Sequence, residues 1–350
     1  MEEEKKEIQS RLIETKKEAK KEELTDILKL ISPGTLLRTA IEGTQKAKTG
    51  GLIVVYNDFV QDMFEGGFKL NARFTPQRII ELGKMDGAII LSEDLKKIMY
   101  ANVLLTPNHS IPSNETGTRH KAAERTAKQA GTMVIAVSQR RDEISLFYGN
   151  SKYVVRDTND IIRRATSILQ IIEKHKDIFD RNKMDLDRSE LKRRGDYMKA
   201  LLLIQRGMII MNISETLKGY VIELGVEGAI VKLRLKELLY KVEKEVDEVI
   251  KDYSRFGLSK SQKILSVLSY DELLEIDNIK QCLGLSEEVV FPKGHRILER
   301  EGISEGDAGI LIRNFKNLPA ILDIKKENLT LLFEEAIANE LFDKIEHIRE

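Results

Sequence analysis

From Asp157 to about Gln281 the sequence contains no proline, and its apolar residues recur at helical spacing. Ile161, Ile162, Ala165, Ile168, Leu169 and Ile172 form one such stripe. Val231 to Val249 repeats it, with lysines and glutamates on the opposite face. A long proline-free stretch patterned in this way folds as a helical spine or bundle, its stripe serving either as core or as a subunit interface. The chain around it differs in texture, which divides it into residues 1–156, 157–285 and 286–350.

Before the spine, short apolar runs alternate with helical segments. Gly51-Leu52-Ile53-Val54-Val55-Tyr56, Gly87-Ala88-Ile89-Ile90-Leu91 and Thr132-Met133-Val134-Ile135-Ala136-Val137 have the length and flanks of buried strands. Thr75-Pro76 opens a helix, a capping hydroxyl followed by proline at the first helical position. A second helix runs from about Thr118 to Gln129 and ends at Gly131. Ile144–Tyr148 and Lys152–Val155 read as a hairpin around Gly149-Asn150. The first region is therefore an α/β domain, a mixed sheet flanked by helices, led by a charged helix from Glu2 to about Leu30. After the spine, shorter helical pieces broken by Pro292-Lys293-Gly294, Gly302, Gly306, Gly309 and Pro319 predict a small separate helical domain.

Composition narrows the setting. A hydrophobic content of 41% excludes a wholly disordered chain. No apolar run approaches the roughly 20 residues of a membrane span, and the charged first thirty residues fit neither signal peptide nor anchor. The single cysteine, Cys282, allows no internal disulfide and no cysteine-based metal site, which points to the cytoplasm. Lys and Arg number 57, as do Asp and Glu, so net charge gives no bias toward nucleic acid.

Two clusters carry chemistry. In Met85-Asp86-Gly87-Ala88 an acid and a glycine sit at the edge of an apolar strand, a place where aspartate is otherwise a cap or turn residue. In Glu115-Thr116-Gly117-Thr118-Arg119-His120-Lys121 a glycine and two hydroxyls lead into a helix whose first residues are cationic. Cations there oppose the helix dipole, so a helix built for stability alone would carry Asp or Glu instead. Either the turn is simply solvated, or an anion such as phosphate occupies it, met by free N–H groups, hydroxyls and cations. His109, in Pro107-Asn108-His109-Ser110, has no second histidine near it in sequence and reads as a solvent-exposed loop residue.

Together the clusters resemble the diadenylate cyclase family, specifically its DNA integrity scanning type. Asp86-Gly87-Ala88 matches that family's DGA signature, and Arg119-His120-Lys121 its RHR signature at two of three positions, in the expected order and spacing. Ile31-Ser32-Pro33-Gly34-Thr35, Tyr100-Ala101-Asn102-Val103 and Ala123-Glu124-Arg125-Thr126-Ala127-Lys128-Gln129 continue the likeness. The resemblance implies that two ATP molecules are joined into cyclic di-AMP with Mg²⁺ or Mn²⁺, across two facing cyclase domains. It implies that Asp86 binds the metal and, with Arg119 and His120, is catalytic. Gly87, Leu105, Thr118, Lys121, Ser138 and Arg141 would complete the ATP site, Leu105 against the adenine. It further implies a homo-octamer ending in a helix-hairpin-helix domain. A nucleotide-binding sensor with little turnover, or a DNA-structure-binding protein, are the alternative functions.

The sequence departs from the family pattern in two places. Lys121 keeps charge but loses the planar fork of arginine, Ala122 replaces a threonine, and Gln139 replaces an arginine. In the tail, Ala336-Ile337-Ala338 stands where the hairpin's Gly-Ile-Gly belongs, followed by Glu340 and Leu341 rather than basic residues. Gln281–Glu350 holds nine Lys and Arg against fourteen Asp and Glu. A duplex binder gains most of its affinity by neutralising phosphates, so hairpin-type DNA binding by this tail is expected to be weak or absent.

Overall fold

The computed structural model describes residues 25–193, 196–285 and 290–349. Two compact units are present: residues up to Ala165 together with Gly219–Ile230, and Thr166–Lys218 together with Val231 onward. Of the expected charged leading helix, the part before residue 25 lies outside the described residues; residues 25–30 are helical.

The first unit is a mixed sheet with helices on both faces. Its elements are α1 (Leu36–Lys46), β1 (Gly51–Val55), β2 (Phe64–Glu65), β3 (Phe68–Arg73), α2 (Pro76–Leu82), β4 (Ala88–Leu91), β5 (Lys97–Leu105), α3 (Thr118–Ala130), β6 (Met133–Val137), β7 (Ile144–Tyr148) and β8 (Ser151–Val155). The eight-stranded sheet has the order β2-β5-β4-β1-β6-β7-β8, with β3 also paired to β5. β1 and β4 run parallel, Ile53 opposite Ile89, and β1 pairs antiparallel with β6, Leu52 opposite Ala136.

Burial on both faces explains why the central strands are apolar throughout. Ile53, Val55, Ile89, Leu91 and Ile135 enter one core with Leu37, Ile41 and Ile79 of α1 and α2. Leu52, Val54, Ile90, Val134 and Ala136 enter the other, against Ala123, Ala127 and Ala130 of α3. Small side chains on that face let α3 lie close to the sheet. Thr75 caps α2, accepting from Arg78 N–H at 3.4 Å. Gly131 ends α3 in the left-handed conformation, φ 63°. The hairpin turns at Gly149-Asn150, with Tyr148 opposite Ser151.

Long helices α4 (Thr158–Leu191) and α5 (Tyr197–Leu224) form the spine, followed by α6 (Ala229–Leu238) and α7 (Val242–Tyr253). The Val231–Val249 pattern is thus shared by two helices; the chain breaks at Lys241, which takes a left-handed φ of 60°. Among the described residues, one helical stretch (197–253) is long and apolar enough by length and composition to cross a membrane, with 56% of its most apolar window buried. Leu201, Leu203, Ile204, Ile209 and Ile210 of α5 are all fully buried, as in the core helix of a bundle.

Five further helices lie in the tail beyond α8 (Leu258–Val267), α9 (Tyr270–Leu274) and α10 (Ile276–Cys282). They are α11 (His295–Arg300), α12 (Glu305–Phe315), α13 (Leu318–Leu322), α14 (Lys326–Thr330) and α15 (Glu335–Arg349). They enclose their own core around Ile297, Leu311, Ile321, Leu329 and Ile345. One sequence expectation fails here. Gly306 and Gly309 do not interrupt the chain but lie inside α12, where surrounding apolar residues override their low helix propensity. Ala336–Leu341 lies in the opening turns of α15, as suits residues without glycine's freedom at positive φ.

Inside the second unit, Arg296 at the start of α11 is 3% exposed and ion-paired with Asp187 and Glu190 of α4 and, at 3.1 Å, with Glu245 of α7. Asp252 caps the same helix, accepting from the N–H groups of Gly294 (2.9 Å), His295 (2.6 Å) and Arg296 (3.2 Å). Buried charge thus joins the tail to the spine.

Candidate active site

The N-terminal end of β4, the C-terminal end of β5 and the start of α3 converge on a cavity of about 570 Å³. Asp86, Gly87 and Leu105 line it from the strands, Thr118, Arg119 and Lys121 from the helix. A β-bulge shapes the strand side. Register shifts between the Ala88–Val103 and Ile90–Tyr100 pairs, and Asn102 takes a left-handed φ of 55°. Its side-chain oxygen accepts from Gly87 N–H at 3.1 Å. A Cβ on Gly87 would lie 2.4 Å from the Asn102 carbonyl carbon, so glycine is required here by the neighbouring strand. Asp86, immediately before it, is exposed.

The helix side carries uncompensated positive charge. Gly117 caps α3 with no side-chain hydrogen bond, and the first turn holds no acidic residue. Its leading N–H groups therefore lack side-chain acceptors and keep the positive end of the dipole uncompensated. The guanidinium of Arg119 lies against Gly50: a Cβ there, at φ 70°, would come within 2.4 Å of Nη1.

A second cavity, about 430 Å³, borders the first, since Thr118 and Arg119 line both. Its wall also holds His120, Ser138, Arg140 and Arg141. The Ser138 hydroxyl accepts from Arg141 N–H at 3.1 Å, which shapes the turn between β6 and β7. Across the cavity, Lys152 pairs with Glu115 at 2.7 Å and stands 3.6 Å from Glu143. Burial pushes the His120 imidazole below its ordinary range, against the opposing pull of Glu115.

All nine residues that the sequence assigned to a site line one cavity or the other. Six of them, Asp86 included, line the first; His120, Ser138 and Arg141 line only the second. Asp86 is the single carboxylate on the wall of the first cavity, and no cluster of three or more His, Cys, Asp or Glu suited to a metal occurs among the described residues. One carboxylate fits Mg²⁺ or Mn²⁺ when substrate phosphate and water supply the other ligands.

Comparison with known proteins shows the family. Residues 38–152 match the family described as DisA bacterial checkpoint controller nucleotide-binding, and residues 155–291 its linker region. The DNA integrity scanning protein DisA of Clostridium botulinum is 39% identical over 319 residues, covering 89% of this chain and 90% of that one. The protein of that name from Clostridium kluyveri is 38% identical over 342 residues, covering 95% and 97%. The chain belongs to the DisA family. Among solved structures, DacA of Staphylococcus aureus is 24% identical, covering 37% of this chain and 91% of that one at a TM-score of 0.31.

The two cavities also have walls that sequence reasoning passed over. Arg140 lines the second cavity beside Gln139, so a cation one position along accompanies the missing arginine. Arg125 and His109 line the first, with Leu104 and Pro107. Arg125 follows Lys121 by one helical turn, a spacing that places both on one face of α3 and was available as a signal. His109 had no local signal, because its partner is sixteen residues away.

Proposed function

We propose that this protein is a diadenylate cyclase, condensing two ATP into cyclic di-AMP and two pyrophosphates. The observation that carries the reading is a single cavity that joins the Asp86 carboxylate to the uncapped, cationic start of α3. In this reaction the 3′-oxygen of each ATP bonds to the α-phosphorus of the other, each α-phosphorus loses pyrophosphate, and each 3′-hydroxyl gives up its proton. Thr118, Arg119 and Lys121 hold the phosphates, joined from the second cavity by His120, Ser138 and Arg141, and stabilise the charge that grows as pyrophosphate leaves. Asp86 holds the divalent ion, Mg²⁺ or Mn²⁺, and helps to draw the proton from the 3′-hydroxyl. The ion, when bound, neutralises phosphate charge and acidifies that hydroxyl. Leu105 lies on the adenine, and Gly87 keeps this part of the wall free of a side chain.

One domain holding one ATP makes half a product, so the reaction demands two cyclase domains face to face. A homo-octamer in the cytoplasm meets that demand, with the spine helices holding its subunits. The acidic tail, with alanines in place of the hairpin glycines, has little part in binding DNA.

The test is to incubate the purified protein with ATP and either Mn²⁺ or Mg²⁺ and to separate the nucleotides chromatographically. A cyclic di-AMP peak is expected, absent for Asp86→Asn while the oligomer survives. Bound ATP without product would instead assign the chain as a nucleotide-binding sensor, and unchanged turnover in Asp86→Asn would remove that residue from the chemistry.

A further inference from the structure

The loop that joins Leu105 to the start of α3 does not hang free. It folds back along α3 and is fastened to it at successive points. Gln129 Oε1 accepts from Asn108 N–H at 2.8 Å, Arg125 Nε donates to the Ile111 carbonyl at 2.9 Å, and Lys128 Nζ donates to the Pro112 carbonyl at 2.8 Å. Glu124 accepts from the Ser113 hydroxyl at 2.5 Å and from Asn114 N–H at 3.1 Å. The loop's course past the cavity is therefore set by the helix that also carries the cations.

Within this loop, His109 Nδ1 stands 3.1 Å from Arg125 Nη1. A guanidinium has donors only and stays protonated, so the contact requires Nδ1 to be the acceptor. Neutral His109 then carries its proton on Nε2. His109, an exposed residue, belongs to the cavity wall together with the apolar stretch of Leu104, Leu105 and Pro107. An apolar wall with one oriented N–H donor is the pattern by which a site fixes a flat heteroaromatic ring.

We propose that His109 is a specificity-determining residue of this cavity. Its Nε2–H donates to a ring nitrogen of the adenine, and Arg125 is the positioning residue that sets the tautomer. The inference rests on the cyclase reading for the identity of the ligand, and adds the group that tells the base from the rest of the nucleotide. Adenine offers only acceptors at its ring nitrogens N1, N3 and N7, so a fixed donor suits it.

The experiment measures binding of ATP and of ribose 5-triphosphate, which lacks the base, to the full chain in EDTA by calorimetry. Wild type, His109→Ala and His109→Gln are compared after thermal melts establish equal folding. His109→Ala is expected to weaken ATP about 3–10-fold, the worth of one neutral hydrogen bond. It should leave ribose 5-triphosphate unchanged, and His109→Gln, which keeps an N–H donor, should restore part of the loss. Equal weakening of both ligands would make His109 a loop support, and no weakening of ATP would remove it from the site. Either result overturns the inference while leaving the cyclase reading intact, provided wild type binds ATP and forms product. A wild-type protein that binds no ATP overturns both.

Discussion

Replacing Arg296 with methionine tests the buried charge that joins the tail to the spine. The guanidinium is 3% exposed, and the Glu190 side chain it pairs with is 0% exposed. Loss of one partner of such a pair leaves a buried charge uncompensated, at about 3–5 kcal/mol. For a unit of this size that lowers the melting temperature by about 6–20 °C. The effect must also depend on pH. Burial pushes the Glu190 carboxyl up to about 7, against the pull of Arg296, from an ordinary value of 4.5. A carboxyl raised in the folded state adds stability that is complete below pH 4.5 and is lost as pH rises through 7, about 3 kcal/mol at most. Without Arg296 the folded value rises further, so the variant suffers most at pH 8, where the ordinary carboxylate would be ionised. At pH 5 Glu190 is neutral in both proteins, and the difference should be smaller there by about 1 kcal/mol, the most that one carboxyl already held at about 7 can add by pH 8. Thermal unfolding followed by circular dichroism at pH 5 and pH 8, in low salt, measures both differences. A gap below about 1 kcal/mol at pH 8, or one equal at both pH values, would refute the reasoning.

Two further predictions concern the cyclase unit. Gly87→Ala places a methyl group against the Asn102 backbone and should cost about 1–3 kcal/mol or more, with loss of ATP binding; a thermal melt equal to wild type would mean that β4 and β5 can separate without cost. Lys121→Arg puts a planar fork on the wall of the first cavity and, under the proposed cyclase function, should lower KM for ATP several-fold at unchanged fold stability, whereas an unaltered KM would show that this side chain does not reach the phosphates.

The sequence by itself determined the parts of this protein whose physics is local. β1, β4 and β6 are apolar on both faces because helices cover both sides of the sheet, and such runs are visible without a structure. Helix α3 announced both its ends, through the Gly117-Thr118 entry and the left-handed Gly131, and its cationic first turn singled out the candidate site because it contradicts the helix dipole. The paired motifs around Asp86 and Arg119 pointed to the family, and the cavity that unites them lies between elements whose order the sequence had established.

What remained hidden depends on neighbours distant in the chain. Strand β5 mixes exposed and buried positions and bends at Asn102, so no clean period betrays it; the exposed β3 likewise has no buried stripe. Gly306 and Gly309 read as breaks until the tail's core is known to hold α12 together. Arg296 was one more charged residue until the fold brought it to Glu190, 106 positions earlier. His109 is the exposed loop histidine that the sequence suggested, but only the fold shows that Arg125 meets its ring nitrogen. Local patterning is written in spacing, which a sequence displays directly. The partner of a charge or of a ring nitrogen is chosen by the path of the chain through space, and only the tertiary structure decides it.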